Sequence, residues 1–284
     1  MKKLLFFALF GWLSSAGFCQ QSPWFTAKEI EPGIWVIDEQ GVVNMYLVVG
    51  RDSAMLIDTG MGIAKLKDFV QQLTDKPLIV VNTHGHPDHA GANNQFDKIW
   101  VNPLDKDAAV MFAGVEARKN AAQMMLGGKT PAASELFQSG DLSPRYLDLK
   151  AGKIFDLGGR QLEVVELPGH SVGSVGFLDA KNRVLVAGDN NNLLVWLFLD
   201  TCTPLSVYLQ TLEMQAKRIK EFDTILPGHG GPIQASFILD QIACVKAVLD
   251  GTAKSQPYDT FVGKAMLNTS GRANVAYNPN RLYP

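Results

Sequence analysis

Only five of the 284 residues are histidines, and where they stand restricts this chain more than any other feature. His84, His86 and His89 lie in Thr83-His84-Gly85-His86-Pro87-Asp88-His89, just after the apolar run Leu78 to Val81. His170 and His229 each close a Leu-Pro-Gly-His turn that follows an apolar run of its own. If Leu78 to Val81 is a strand, His84 and His86, two apart, project to one side of the extended segment that leaves it. Pro87 cannot continue a ladder, so it turns the chain and directs Asp88 and His89 toward a second point. A single histidine is usually a hydrogen-bonded core residue. Five of them clustered at strand ends, with none left over, are the signal of a metal-binding set, and two neighbouring metal sites are geometrically open to them.

The rest of the pattern is that of an α/β protein. Short β-branched runs alternate with turn signals: Ile34 to Ile37, Tyr46 to Val49, Met55 to Ile57, Leu78 to Val81, Ile99 to Val101, Leu162 to Leu167, Val184 to Val186 and Ile225 to Leu226. Between them, Leu66, Phe69, Val70 and Leu73, and later Ile238, Ile242, Val245 and Leu249, recur with helical period. Strands mixed with amphipathic helices imply a layered α/β class. Residues 105–126 are rich in Ala and Met and read as helix ending near Gly127-Gly128, either a wall over a site or a packing excursion. Met55-Leu56-Ile57-Asp58 is echoed by Val184-Leu185-Val186-Ala187-Gly188-Asp189, an apolar strand each time followed by a carboxylate. With no Pro- or Ser-rich linker, residues 20–251 are expected to form one domain, followed by a polar tail, 252–284, to which no role can be given.

The start, with Lys2-Lys3, the apolar run Leu4 to Leu13 and small residues Ser14 to Gly17, reads as a secretory signal spanning 1–19. Phe18 before Cys19 disfavours a lipid-modified cysteine, so simple cleavage and a periplasmic or secreted protein are expected. No other run reaches the 18 apolar residues of a membrane span. Cys202 and Cys244 remain after cleavage, and Cys244, in a helical stretch, is expected buried and free rather than paired. The formal charge of −2 becomes more negative once Lys2 and Lys3 are removed, which leaves no general field for nucleic acid. A small-molecule substrate is the expected partner.

The ordered run of motifs from about Gly33 to Pro232 resembles the metallo-β-lactamase superfamily: Asp58 after a strand, the His-x-His-x-Asp-His block, His170 in Pro-Gly-His-Ser, Asp189 in Ala-Gly-Asp, and His229 in Pro-Gly-His-Gly. The resemblance implies an αββα sandwich with metals at one edge. It places one metal on His84, His86 and His170 and a second on Asp88, His89 and His229, with Asp189 bridging both and Asp58 orienting the site without ligating. Asp88 would also orient the attacking nucleophile and pass its proton on. Imidazoles and carboxylates suit two Zn²⁺ and also admit Fe or Mn, since no thiolate narrows the choice.

Within that family many true β-lactamases carry Cys or Ser where Asp189 stands, whereas a bridging Asp is typical of thioesterases, lactonases and phosphodiesterases. The acyl-homoserine lactonases usually have a Tyr shortly after that Asp; here Asn190, Asn191 and Asn192 follow. The resemblance therefore implies a metal-dependent hydrolase of a small ester, lactone or thioester, with a β-lactamase-like amidase, a phosphodiesterase or a non-catalytic metal-stabilised binding protein as alternatives. No Gly-x-Ser-x-Gly elbow offers a serine nucleophile instead. The apolar run Leu193 to Leu199, directly after Asp189, is either core or the lining of an acyl pocket. Asn190 to Asn192 are either a plain turn or donors to substrate, and Tyr208 and Met45 are further pocket candidates.

Overall fold

The apolar runs pair into two sheets that face each other. In the computed structural model, which describes residues 19–127 and 143–284, the first sheet takes its strands in chain order: β1 (Cys19–Gln21), β2 (Phe25–Glu31), β3 (Ile34–Glu39), β4 (Val43–Val49), β5 (Ala54–Ile57), β6 (Leu78–Val81), β7 (Lys98–Val101) and β8 (Arg145–Asp148). It is antiparallel as far as β5 and parallel from β5 to β8. The second sheet uses β9 (Ile154–Asp156), β10 (Gln161–Glu166), β11 (Val175–Asp179), β12 (Val184–Gly188), β14 (Thr224–Pro227) and β15 (Ile233–Gln234), with β12 and β14 parallel neighbours. The strand missing from that count, β13 (Leu194–Leu197), joins a third sheet with β16 (Gln256–Thr260), β17 (Gly263–Ser270) and β18 (Ala273–Tyr277). Residues 1–18, which fall within the expected secretory signal, and Gly128, at the expected end of the helical region, lie outside the described residues.

Alternation decides which side chains meet. On β10 the odd residues face out and Leu162 and Val164 face in, where they join Phe177, Val186 and Leu226 against Ile34, Tyr46, Val48, Met55 and Ile57 of the first sheet. The outer face of the first sheet packs on helix α1 (Leu66–Val70) through Leu66, Phe69 and Val70. The outer face of the second packs on α5 (Leu205–Lys217) and α6 (Phe237–Leu249). This is the expected αββα sandwich. Helix α1 is shorter than its pattern suggests: Leu73 falls in the turns just past Val70.

Parallel strands need crossover connections, so their C-terminal ends collect on one edge. The first sheet delivers Asp58 after β5 and residues 82–89 after β6, with Ile57 paired to Val81. The second delivers His170 after β10, Asp189 after β12 and His229 after β14, with Gly188 opposite Pro227. Helix α2 (Pro87–Ala90) turns the chain at the tip of β6, and residues 105–126 form two helices, α3 (Lys106–Phe112) and α4 (Val115–Met125), broken at Ala113-Gly114. Ala109 of α3 packs on Ala90 of α2, and Ala122 of α4 on Met61 and Ile63. The helices thus flank the ligand edge.

The tail is folded. β18 runs parallel to β13, β17 pairs with β18, and Ala273, Val275 and Tyr277 enter the core cluster of α5 and α6. Cys202 and Cys244 are buried and unpaired, the latter within α6.

Candidate metal centre

Two Pro-Gly-His turns work because their glycines let other groups come close. A Cβ on Gly228 would collide with an Asp189 carboxylate oxygen and lie 2.8 Å from His89 Cε1. One on Gly169 would lie 2.8 Å from Asn190 Oδ1. Asp58 sits just past β5 at φ 66, a conformation that Asp tolerates but most side chains avoid. Its carboxylate accepts from Thr83 N at 2.7 Å and Thr83 Oγ1 at 2.8 Å, and its Oδ2 lies 2.9 Å from His89 Nδ1. His86 caps α2, with Pro87 as the first helical residue, where the missing N–H costs nothing. Asp88 and His89 follow inside that single turn.

Each imidazole is held from outside by one nitrogen and offers the other inward. His170 Nδ1 donates to Trp196 O at 2.8 Å, and His229 Nδ1 to Val42 O at 2.6 Å. His86 Nε2 meets Thr201 Oγ1 at 2.9 Å, His84 Nδ1 meets Thr83 Oγ1 at 3.0 Å, and His89 Nδ1 meets Asp58. Such outer partners fix tautomer and ring orientation in metal sites. The inward atoms fall into three overlapping groups: His84, His86 and His170; His84, His89 and Asp189; and Asp88, His89 and His229, the atoms of each lying within 4.8 Å of one another. Asp189 spans the groups, with Oδ1 3.2 Å from His89 Nε2, and Oδ2 3.1 Å from His229 Nε2 and 3.5 Å from His170 Nε2. Asp88 Oδ2 lies 3.3 Å from His229 Nε2 and 3.5 Å from His89 Nε2.

These residues suit a cation. His84 Nε2, His89 Nε2 and Asp189 Oδ1 are buried without a hydrogen-bond partner, and they belong to the three residues of one of those groups. Buried polar atoms are rarely left so. The electrostatics agree. Burial, with His89, His86 and His170 beside it, holds His84 well below the ordinary histidine value. Burial and His170 bring His86 down to about 3. Burial opposes charge on His89 and His229 too, but Asp88, Asp189 and Asp58 around His89, and Asp189 and Asp88 beside His229, override it and push both well up. Burial would raise the two carboxylates, yet His89 and His229 hold Asp88 at about 2 and Asp189 well below the carboxylate range. The carboxylates demand positive charge between them.

The family model of the metallo-beta-lactamase superfamily matches residues 38–229, a span that contains Asp58 and every candidate ligand. The chain belongs to that superfamily. Its relatives include the acyl-coenzyme A thioesterase MBLAC2 of Homo sapiens, 28% identical over 231 residues that cover 72% of this chain and 81% of that protein. The hydroxyacylglutathione hydrolase GloC of Haemophilus influenzae is 27% identical over 141 residues, covering 48% and 60%. A solved beta-lactamase domain protein from Burkholderia ambifaria shares the fold, with a TM-score of 0.54 at 23% identity over 82% of this chain and 77% of that one. With its His and Asp donors gathered, this member of the metallo-beta-lactamase superfamily is a metal-dependent hydrolase.

Several pocket readings give way to packing. Asn190 Oδ1 accepts from His170 N and Asn190 Nδ2 donates to Leu167 O, while Asn192 Oδ1 accepts from His229 N. Asn191 is bonded to Gln215 and Gln241. Asn190 and Asn192 thus hold the two Pro-Gly-His turns, and Asn191 ties the same segment to α5 and α6. Tyr208 is fully buried with its hydroxyl on Asn190 O at 2.6 Å, and Met45 is core of the first sheet. The run Leu193 to Leu199 divides by strand alternation: Val195 and Leu197 face the α5 and α6 core, whereas Leu194 and Trp196 face the other way.

Thr201, the carbonyls of Val42 and Trp196, and Asp105 are functional supports that no motif marks. Asp105 accepts from Gly85 N at 3.0 Å, Ser171 Oγ at 2.5 Å and Gly173 N at 3.0 Å, tying the two histidine loops together. Carbonyls are present in every residue, so only the His-x-His and Pro-Gly-His-Ser contexts hint that something must brace them.

Proposed function

We propose that this protein is an exported dinuclear zinc hydrolase that cleaves acyl thioesters. The observation that carries this reading is the single carboxylate of Asp189 reaching both histidine sets, which supports two cations rather than one. The thioester follows from its similarity to an acyl-coenzyme A thioesterase. Export rests on Lys2-Lys3 and the run Leu4 to Leu13. Among the described residues no helix is long and apolar enough to cross a membrane.

His84, His86 and His170 would hold one cation, Asp88, His89 and His229 the other, with Asp189 shared. Bound there, divalent cations supply water ionised near neutral pH and a Lewis acid for a carbonyl oxygen. The chain itself supplies placement and proton handling. Asp58, Thr83, Thr201 and the carbonyls of Val42 and Trp196 fix the five rings, so little reorganisation is needed on reaction. Asp88, kept ionised by His89 and His229, accepts a proton from the attacking water and returns it to the leaving thiolate. Cys202 and Ser171 are poor competing nucleophiles: Cys202 is buried and its thiol pushed up to about 12 by that burial, and Ser171 spends its hydroxyl on Asp105.

The test is a panel of acyl-coenzyme A thioesters, aryl esters, lactones, a chromogenic cephalosporin and bis-aryl phosphates at equal concentration, with metal content measured on the same preparation. Thioesters should lead, chelation should abolish turnover, and Zn²⁺ should restore it at about two ions per chain. Turnover confined to cephalosporin or phosphate would reject the substrate class.

A further inference from the structure

The third sheet has two apolar faces and only one of them is used by the core. Its inner face, with Val195, Leu197 and Val275, packs on α5 and α6. Its outer face carries a second cluster built on Phe198, Ala265 and Ala276, with Leu194, Trp196, Leu199, Tyr258 and Leu267 partly buried against it. Register explains its shape. Trp196 pairs with Ala276, which pairs with Leu267, so a small residue lies between two large ones across the sheet. Trp196 and its neighbours can therefore lie against the sheet and form a flat wall. Ring centroids of Trp196 are 5.3 Å from Phe198 and 5.8 Å from Phe261, and Phe261 and Val262, at the tip of the β16–β17 hairpin, are 55% and 42% exposed.

This wall is continuous with the metal centre at two points. The backbone carbonyl of Trp196 accepts from His170 Nδ1. Leu199 leads within two residues to Thr201, whose hydroxyl meets His86 Nε2. Both anchors hold the set formed by His84, His86 and His170. Phe198 is buried beneath this wall, Trp196 is half-buried and Phe261 is exposed, so an aromatic edge stays open to solvent, and exposed apolar surface of this kind marks a binding surface. Arg281 pins the connecting loop by donating to the carbonyls of Leu199, Asp200 and Cys202, so the wall cannot drift from the histidines.

We propose that β13 and the β16–β17 hairpin of the C-terminal segment together form the acyl-chain subsite: the wall of Trp196 and Phe261, backed by the buried Phe198, takes the apolar chain of a substrate whose carbonyl lies at the His84, His86 and His170 set. This rests on the acyl thioesterase reading and gives residues 252–284 a role in selecting chain length. An apolar chain laid on aromatic rings is favoured by each methylene removed from water. Selectivity should therefore grow with length.

The experiment compares metal-loaded wild type, Phe261→Ser and Phe261→Leu, with Ile154→Ser as an exposed apolar control on β9 at the far edge of the second sheet. The readouts are kcat/KM for acetyl-, butyryl- and decanoyl-coenzyme A, and the binding of decanoate against acetate by titration calorimetry. In wild type, decanoyl should be preferred over acetyl, and decanoate should bind more tightly than acetate. Phe261→Ser should reduce both preferences about tenfold, the size expected for loss of a hydrophobic contact. Phe261→Leu should restore most of them, and Ile154→Ser should change neither. If no thioester turns over but decanoate binding still depends on Phe261, the subsite stands and the thioesterase reading fails. A flat chain-length profile in wild type, no preference for decanoate, or preferences untouched in Phe261→Ser would each overturn the subsite.

Discussion

His84, His86 and His170 meet without a carboxylate of their own, whereas Asp88, His89 and His229 sit among Asp58, Asp88 and Asp189. The same imidazole is pushed in opposite directions by these settings. In the first set burial and neighbouring rings strip the proton from His84 and His86; in the second, carboxylates hold it on His89 and His229. The first half is thus ready to receive a cation at neutral pH, while the second must give up protons to do so. Asp189 is where the two halves join.

Removing that joint should have the largest effect. Asp189→Ala is expected to cut turnover by about a thousandfold or more, since the reacting water and both donor sets depend on it, and elemental analysis should find both metals depleted. Loss of one metal alone would break the bridge. Next in size, His229→Ala and His86→Ala should each lower activity by about a hundredfold, but with different metals missing: the first variant should keep the ion of the His84 and His170 set, the second the ion of the Asp88 and His89 set. Substituting Co²⁺ and recording ligand-field spectra would distinguish them. Identical spectra would show that the halves are not separable.

The charge contrast itself can be measured. Metal binding displaces protons only from groups that carry them. His89 and His229 are raised, so affinity in their half should weaken as pH falls, by about tenfold for each proton and pH unit. His84 and His86 are lowered and already neutral at pH 7, so the first half should lose far less over the same range. Calorimetry of Zn²⁺ binding in buffers of differing ionisation enthalpy should show proton release concentrated in one of the two equivalents. Even release across both would contradict the asymmetry.

How much of this was legible beforehand follows the same division between side chains and backbone. The His-x-His-x-Asp-His spacing, the repeated Leu-Pro-Gly-His turn and the two apolar runs ending in Asp58 and Asp189 are local patterns, and the structure brings those residues together at one edge. The strand runs were legible for the same reason, since burial on both faces writes itself as Val, Ile and Leu. Thr201 was not: it lies 115 positions from the His86 it braces, in a loop with no motif. The tail was opaque because β13 and β18 pair across some 80 residues, a contact without a local signature. The bracing by Asn190 and Asn192 was not legible either, because a turn composition says which residues bend the chain and not which backbone they hold.

Thr201 gives a smaller and more selective test. Thr201→Val keeps the shape but removes the hydroxyl from His86 Nε2, and loss of such a partner typically costs about tenfold or more in metal affinity. The cost should fall on the His84, His86 and His170 half, with the other ion bound as before. Equal weakening of both ions would mean that the loop acts on the whole edge and not on one ring.

The smallest effect belongs to Glu39, which supports the second half from a distance. It is fully buried at the end of β3; its Oε2 accepts from Met61 N at 2.6 Å, and its carbonyl accepts from Val42 N, the residue whose own carbonyl orients His229. Burial pushes its carboxyl up to about 8, with Asp88 and Asp38 adding to the rise and the Met61 and Ile63 amides opposing it. Folded protein therefore keeps a proton on Glu39 between the ordinary value of 4.5 and about 8, where unfolded chain has lost it. Because the native state binds more protons in that window, stability must fall as pH rises through it. Glu39→Gln retains an acceptor for Met61 N and cannot ionise, so it should lack this decline. Its melting temperature relative to wild type should be near equal at pH 4.5 and higher by several degrees at pH 8, since each pH unit of the window weakens wild type by about 1.4 kcal/mol at most. The titrations of the metal ligands are common to both proteins and cancel in the difference. Parallel melting curves across the window would show that Glu39 is ionised in the fold, and that the second half of the centre is braced by a charge instead of a proton.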